Sequence, residues 1–204
     1  MQFLLLHGSY GSTEENWLPA LREELEALGQ KVVVPQFPVD QWDEVTKAGE
    51  KTPTKHQNLI NWLRTFEVVV GQLEPGERTC VVAHSLGPLF LLHAMDKFPL
   101  ILDSAILVCP FLTKLNKTWQ IDAANATFYK DDFKFEKLRP RLGKTYVIYS
   151  DNDPYVKNEY SLEFAKKLNS SVIEVRGGGH LSSKSGYLDF PLVFDLCETR
   201  IGNK

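Results

Sequence analysis

The chain has no long apolar run. Among its 204 residues no stretch approaches the roughly 20 apolar positions that cross a bilayer as a helix. The opening Met1-Gln2-Phe3-Leu4-Leu5-Leu6-His7 lacks both the basic flank and the length of a secretory signal. Cysteine is scarce as well. Cys80, Cys109 and Cys197 form an odd set with no C-x-x-C spacing, which argues against a disulfide framework and for reduced core thiols. Neither sign of charge dominates: 23 Lys plus Arg stand against 26 Asp plus Glu, a net charge of -3, so there is no footprint for nucleic acid or an anionic membrane. The expectation is a cytoplasmic protein whose partner is a small molecule. Metal and nucleotide signatures are missing too. The histidines lack H-E-x-x-H spacing, the carboxylates lack calcium-loop spacing, and Gly177-Gly178-Gly179 is followed by no G-K-[ST]. No metal and no cofactor are expected.

What is present is an alternation of short β-type runs with longer helix-period segments, the signature of an α/β layered sheet. The length fits one domain over residues 1–204. Strands are predicted at residues 3–6, 32–34, 79–83, 105–108, 146–149 and 172–175. The first helix carries Leu18, Leu21, Leu25 and Leu28 on one face, and Gly29 stops it. Thr54-Lys55-His56-Gln57 has the form of a capping box opening a helix with Leu59, Leu63, Phe66, Val70 and Leu73 inward. Residues 86–97 are apolar nearly all round, as a helix beneath the centre of a fold must be. Asn158 is placed to cap a helix with Leu162, Ala165 and Leu168 inward, and residues 193–201 form a terminal helix.

The densest chemical signal is Val81-Val82-Ala83-His84-Ser85-Leu86-Gly87. A strand ends in a small residue, a serine and a second small residue before a helix, which is the pattern of a nucleophile elbow. Ala83 stands where the usual pattern has glycine, adding one methyl where strand and helix pass closely. A serine hydroxyl is a poor nucleophile near neutrality, so it needs a base within hydrogen-bond reach and a third group to orient that base. Ser85, Asp153 and His180 follow the third, fifth and sixth predicted strands, at the carboxyl ends where open parallel sheets gather their reactive groups. Asp151 rivals Asp153 within Ser150-Asp151-Asn152-Asp153-Pro154, and either could simply form the turn. Three glycines before His180 suit a backbone bent tightly to present that side chain. His7 and His84 flank the expected site as supports, while His56 and His93 fall in predicted helices. Acyl transfer also needs N–H donors for a developing oxyanion. Leu86 supplies one directly after the nucleophile, and the loop after the first strand supplies the other from Ser9, with Tyr10 as the alternative.

The order His7-Gly8, Ala83-His84-Ser85-Leu86-Gly87, Asp151-Asn152-Asp153-Pro154 and Gly178-Gly179-His180 resembles the small serine hydrolases of the YdeN and retinoblastoma-binding protein nine type. The resemblance runs from Phe3 to the terminal helix. It implies a compact α/β-hydrolase with sheet order 2-1-3-4-5-6, Ser85, Asp153 and His180 as the triad, and hydrolysis of small carboxylic esters, with thioesters and amides also open. A retinoblastoma-type partner is not carried over, because Leu196-Cys197-Glu198 does not have the L-x-C-x-E spacing. Two features stand apart from the resemblance. Residues 39–53, near Trp42, are longer than the compact pattern needs, and residues 110–139 form a cap-like segment holding Phe111, Leu112, Trp119, Phe128, Tyr129, Phe133 and Phe135. Those aromatics either form a short lid or pack a helix between two strands. A hydrolase fold that binds a ligand or a protein without turnover is the alternative to an enzyme, and C–C or peroxide chemistry is open to the same triad.

Overall fold

The computed structural model describes residues 1–202. Its centre is a sheet of six parallel strands in the order β2-β1-β3-β4-β5-β6. The strands are β1 (Gln2–Leu6), β2 (Lys31–Val33), β3 (Thr79–His84), β4 (Ser104–Val108), β5 (Lys144–Ser150) and β6 (Ser171–Val175). Every residue of β1, β3 and β4 is buried, because a parallel strand with helices on both sides has no solvent face. Successive side chains still sort by face. Leu4, Leu6, Val81, Ala83, Ala105 and Leu107 enter one apolar layer, with α3 (Leu59–Val70), α4 (Leu86–Lys97) and α7 (Asn158–Leu168). Phe3, Leu5, Cys80, Val82, Ile106 and Val108 enter the other, with α1 (Leu18–Ala27) and α8 (Pro191–Ile201). The chain leaves β1 toward β2 and returns on the far side of β1 to form β3. The loops after β1 and β3 therefore part company at a topological switch point, where open sheets hold their ligands.

All six predicted strands and the order implied by the resemblance are observed, and helix 86–97 has the predicted bounds. Some helix details differ. No helix opens at the predicted capping box. Asp40 accepts the N–H groups of Lys55, His56 and Gln57 (3.0, 2.8 and 2.7 Å), holding them in a loop, and Asn58 caps α3 by accepting from Asn61 N at 2.9 Å. His56 accordingly lies in that loop and not in a helix. The inward side of α3 is Trp62, Phe66 and Val69, a rotation of the predicted stripe that the stacking of Trp62 on Phe37 (4.4 Å) accounts for. In α7 the buried residues are Ser161, Phe164, Ala165 and Leu168; Leu162 is exposed, and Lys157 precedes the helix that Asn158 begins. Leu28 is exposed beyond the end of α1.

Residues 39–53 contain a short helix, α2 (Trp42–Ala48), opened by a capping box between Gln41 and Glu44. Residues 110–139 contain α5 (Trp119–Ala124), a single 3-10 turn at 126–128 and the first part of α6 (Phe135–Leu142). Phe111, Leu112, Phe128 and Phe133 are buried in the same layer as α4, so these aromatics pack the cover onto the core. Among the described residues, no helix is long and apolar enough to cross a membrane.

Candidate active site

Ser85 sits at the sharpest bend of the chain. Its φ of 59° and ψ of -105° lie where side-chain-bearing residues are strained, and its N–H is held by Val108 O at 2.8 Å. The bend is possible only because its surroundings are small. A Cβ on Gly87 would lie 3.0 Å from Leu6 O, 3.2 Å from His7 O and 3.3 Å from the Ala83 methyl. The methyl that departs from the usual elbow pattern is thus accommodated by a glycine across from it. Gly8 approaches from the β1 loop, and a Cβ there would press to 2.8 Å from Ser85 Cβ. These close contacts leave the Ser85 side chain half-buried beside the first amides of α4, which have no partner within the helix.

His180 reaches Ser85 from the loop after β6. Its Nε2 lies 3.2 Å from Ser85 Oγ, and its Nδ1 lies 2.7 Å from Asp153 Oδ2. The other oxygen of Asp153 accepts from Tyr155 N at 2.8 Å and Val156 N at 3.0 Å. Burial raises the pKa of Asp153, but the His180 contacts and those two amides outweigh it, and the carboxyl lies below its ordinary value. An ionised Asp153 fixes the proton of His180 on Nδ1, leaving Nε2 to accept from the serine hydroxyl. The imidazole is also gripped from its backbone and its faces. His84 Nε2–H donates to His180 O at 3.0 Å, Ser85 and Asp153 take the ring edges, and the rings of His84 and Tyr155 pack at 4.9 and 5.1 Å. Asp151, the rival acid, is exposed and spends its Oδ1 on Gly177 N at 2.7 Å.

The glycine run is held amide by amide. Gly177, Gly178 and Gly179 donate in turn to Asp151 Oδ1, Ser150 Oγ and Asn152 Oδ1 at 2.7, 2.9 and 2.7 Å. Gly177 and Gly179 have positive φ, and a Cβ on Gly178 would lie 2.6 Å from Leu181 Cδ2, so glycine is required along this path.

The loop after β1 supplies the facing wall. His7 Nδ1–H donates to Gly8 O at 2.8 Å while its Nε2 accepts from Phe37 N at 3.0 Å, which defines a neutral ring. Of the two candidates for the second oxyanion donor, Tyr10 has its N–H committed to Gln57 Oε1 at 2.8 Å, whereas among the described residues the Ser9 N–H has no acceptor. Asp40, Gln57, Asn125, Tyr155 and Cys109 also surround the site, and sequence reasoning singled out none of them as part of it. Nothing in their spacing marks them, since each arrives by a long-range contact. His84, Cys109 and His180 bring three metal-type donor atoms within 4.8 Å of one another. Their hydrogen bonds already engage them: Cys109 Sγ faces His180 O at 3.7 Å, and burial, with Asp153 alongside, raises its thiol pKa well above the ordinary value. Two surface grooves of about 940 and 540 Å³ lie elsewhere, between β2 and α3 and beside α7, and neither borders Ser85.

The buried histidines set the response to acid. Burial lowers His7 to about 4, burial and the neighbouring His180 lower His84 to about 3, and burial lowers His93. A folded-state pKa below the unfolded value means that unfolding takes up protons, so stability is lost as pH falls from about 6.5 toward 4, by ~1.4 kcal/mol per pH unit for each of His7 and His84, with His93 adding in the same direction. Urea unfolding measured across that window is expected to show a steadily falling free energy, with a shallower slope in His93→Gln. A flat profile would mean that these rings are charged in the folded protein.

The chain is similar to known proteins in sequence and in fold. A sequence model of the family described as Serine hydrolase matches residues 3–199. YdeN of Bacillus subtilis (strain 168), which bears a hydrolase name, is 27% identical over 197 residues, covering 96% of this chain and 93% of YdeN. The crystal structure of the B. subtilis ydeN gene product superposes with a TM-score of 0.81 at 25% identity, covering 99% of each chain. Est1E of Butyrivibrio proteoclasticus, solved with ferulic acid bound, shares the fold with a TM-score of 0.65 at 16% identity, covering 98% of this chain and 87% of that one.

Proposed function

We propose that this chain, which belongs to the serine hydrolase family, cleaves small carboxylic esters through an acyl-enzyme on Ser85. The observation that carries this reading is the hydrogen-bonded line from Ser85 Oγ through His180 to Asp153, mounted on a strained elbow. In the first half-reaction Ser85 Oγ attacks the ester carbonyl carbon and its proton passes to His180 Nε2. The carbonyl oxygen becomes an oxyanion, received by Leu86 N–H and Ser9 N–H, with the positive end of the α4 dipole behind it. Collapse expels the alcohol, which takes the proton from His180. Water then attacks the acyl-enzyme with His180 as base, the carboxylic acid leaves, and Ser85 is restored. Asp153 stays ionised throughout and balances the imidazolium.

The cover favours small substrates. Phe111, Phe128 and Phe133 are committed to the core, so residues 110–139 leave little apolar surface to receive a long acyl tail. Each methylene left in water forgoes the roughly 0.8 kcal/mol that burial would contribute. Steady-state assays are expected to give a higher kcat/KM for p-nitrophenyl acetate or butyrate than for the palmitate ester, with no jump at the micellar limit. A preference for acyl chains of about twelve carbons or more, with interfacial activation, would instead identify a lipase with a working lid.

A further inference from the structure

Residues that hold the β1 loop come from two distant segments of the chain. Gln57 precedes α3 and Asn125 follows α5, and both side chains are fully buried. One backbone donor orders the whole cluster. The Tyr10 N–H can only donate, so the atom of Gln57 facing it at 2.8 Å is Oε1. That orientation turns Gln57 Nε2 toward Asn125, whose facing atom at 3.1 Å is therefore Oδ1. Asn125 Oδ1 also receives the Ser9 hydroxyl at 2.7 Å. Asp40 closes the chain by accepting three consecutive amides that end at Gln57 N.

Asn125 is an expensive choice for mere packing. Its Nδ2 is buried without completing a hydrogen bond, the Tyr129 hydroxyl being the polar group beside it. An apolar residue would avoid that unmet donor, so the amide is explained by what its oxygen holds. What it holds is Ser9, whose N–H lies in the loop facing Ser85.

We infer that Asn125 and Gln57 form a buried amide relay that positions the Ser9 N–H for the oxyanion. The cover segment thereby braces the reaction from residue 125 without touching substrate, and Asn125 and Gln57 are positioning residues. The inference rests on the ester-hydrolase reading above. It predicts a selective effect: donors for the oxyanion count in the transition state and little in the ground state, so misplacing one lowers kcat and spares KM.

The test compares Ser9→Ala, Asn125→Ala and their double variant with wild type, using p-nitrophenyl butyrate turnover and inhibition by phenylboronic acid. The boronic acid accepts the Ser85 oxygen at boron while the hydroxyl proton moves to His180, giving an anionic tetrahedral adduct that needs the same donors. Asn125→Ala is expected to lower kcat about 10- to 100-fold with KM within about twofold, and to weaken boronate inhibition in proportion. Ser9→Ala is expected to lose about 3- to 10-fold, and the double variant no more than Asn125→Ala, since both remove one hydrogen bond. Gln57→Glu sets a carboxylate oxygen against Asn125 Oδ1, so its activity relative to wild type is expected to recover as pH falls and that carboxyl gains a proton. Should Asn125→Ala fail to fold, Ser9→Ala and Gln57→Glu carry the test. Lower melting temperature with unchanged kcat and boronate affinity, or losses that multiply in the double variant, would overturn the relay. Failure of the wild type to turn over ester or bind boronate would overturn the hydrolase reading first and the relay with it.

Discussion

Replacing Ser85 with alanine is expected to lower ester turnover by ~10⁴- to 10⁶-fold, abolish covalent labelling by a fluorophosphonate, and leave the fold intact. The hydroxyl is the proposed attacking group, and what survives its removal is binding plus whatever the oxyanion donors do for attack by water. Retention of the fold follows from the contacts. Ser85 Oγ is hydrogen-bonded to His180, while the bend is held by the Ser85 N–H to Val108 O and by the close approach of Gly8 and Gly87. Mass spectrometry of the labelled wild type should find the adduct on the peptide containing Ser85, and thermal unfolding should report an unchanged core. Undiminished turnover in the alanine variant would end the proposal.

The second large effect belongs to Asp153. Asp153→Asn is expected to lower turnover by ~10³- to 10⁴-fold, and Asp151→Asn by less than about threefold. The contrast comes from what each carboxylate touches. Tyr155 N–H and Val156 N–H both point at one oxygen of Asp153, so an asparagine there must keep its carbonyl oxygen on that side. Its NH₂ then faces His180 Nδ1 as a donor, which moves the imidazole proton to Nε2 and removes the acceptor that Ser85 needs. Asn at 151 retains the oxygen that receives Gly177 N–H. Equal losses, or a larger one at 151, would move the acid two residues upstream.

The parts of this protein that local chemistry determines could be read from the chain alone. Fully buried parallel strands must be continuous apolar runs, an elbow must be flanked by small residues, and a helix under the sheet must be apolar all round. Those constraints located β1, β3 and β4, Ser85 and α4. Local patterns also misled where a distant group intervened. Thr54-Lys55-His56-Gln57 has the composition of a helix start, yet its amides are claimed by Asp40, more than a dozen residues earlier. The periodicity of α3 does not point to Trp62, because only the tertiary stack with Phe37 brings that ring inward. Gln57 and Asn125 were invisible for the same reason. They meet the β1 loop across 47 and 116 residues of sequence, and an isolated amide in a polar stretch carries no periodicity to detect. The choice between Ser9 and Tyr10 likewise awaited knowledge of which N–H was already taken.

The pairing of Ser150, Asp151 and Asn152 with the three glycines has a consequence for how this protein can vary in length. A surface loop ordinarily tolerates an inserted or deleted residue, because its closure entropy changes slowly with size. Here three consecutive side chains at the end of one strand are matched, in the order 151, 150, 152, to three consecutive amides beyond the next, so each amide of the loop has one fixed acceptor. Dropping one glycine would slide every remaining amide past its acceptor and carry His180 out of line with Ser85. An added residue would do the same in the opposite direction. The turn from 150 to 153 and the run from 177 to 180 can therefore change length only together, while the exposed turn at Pro75-Gly76, at the other end of the sheet, remains free to lengthen.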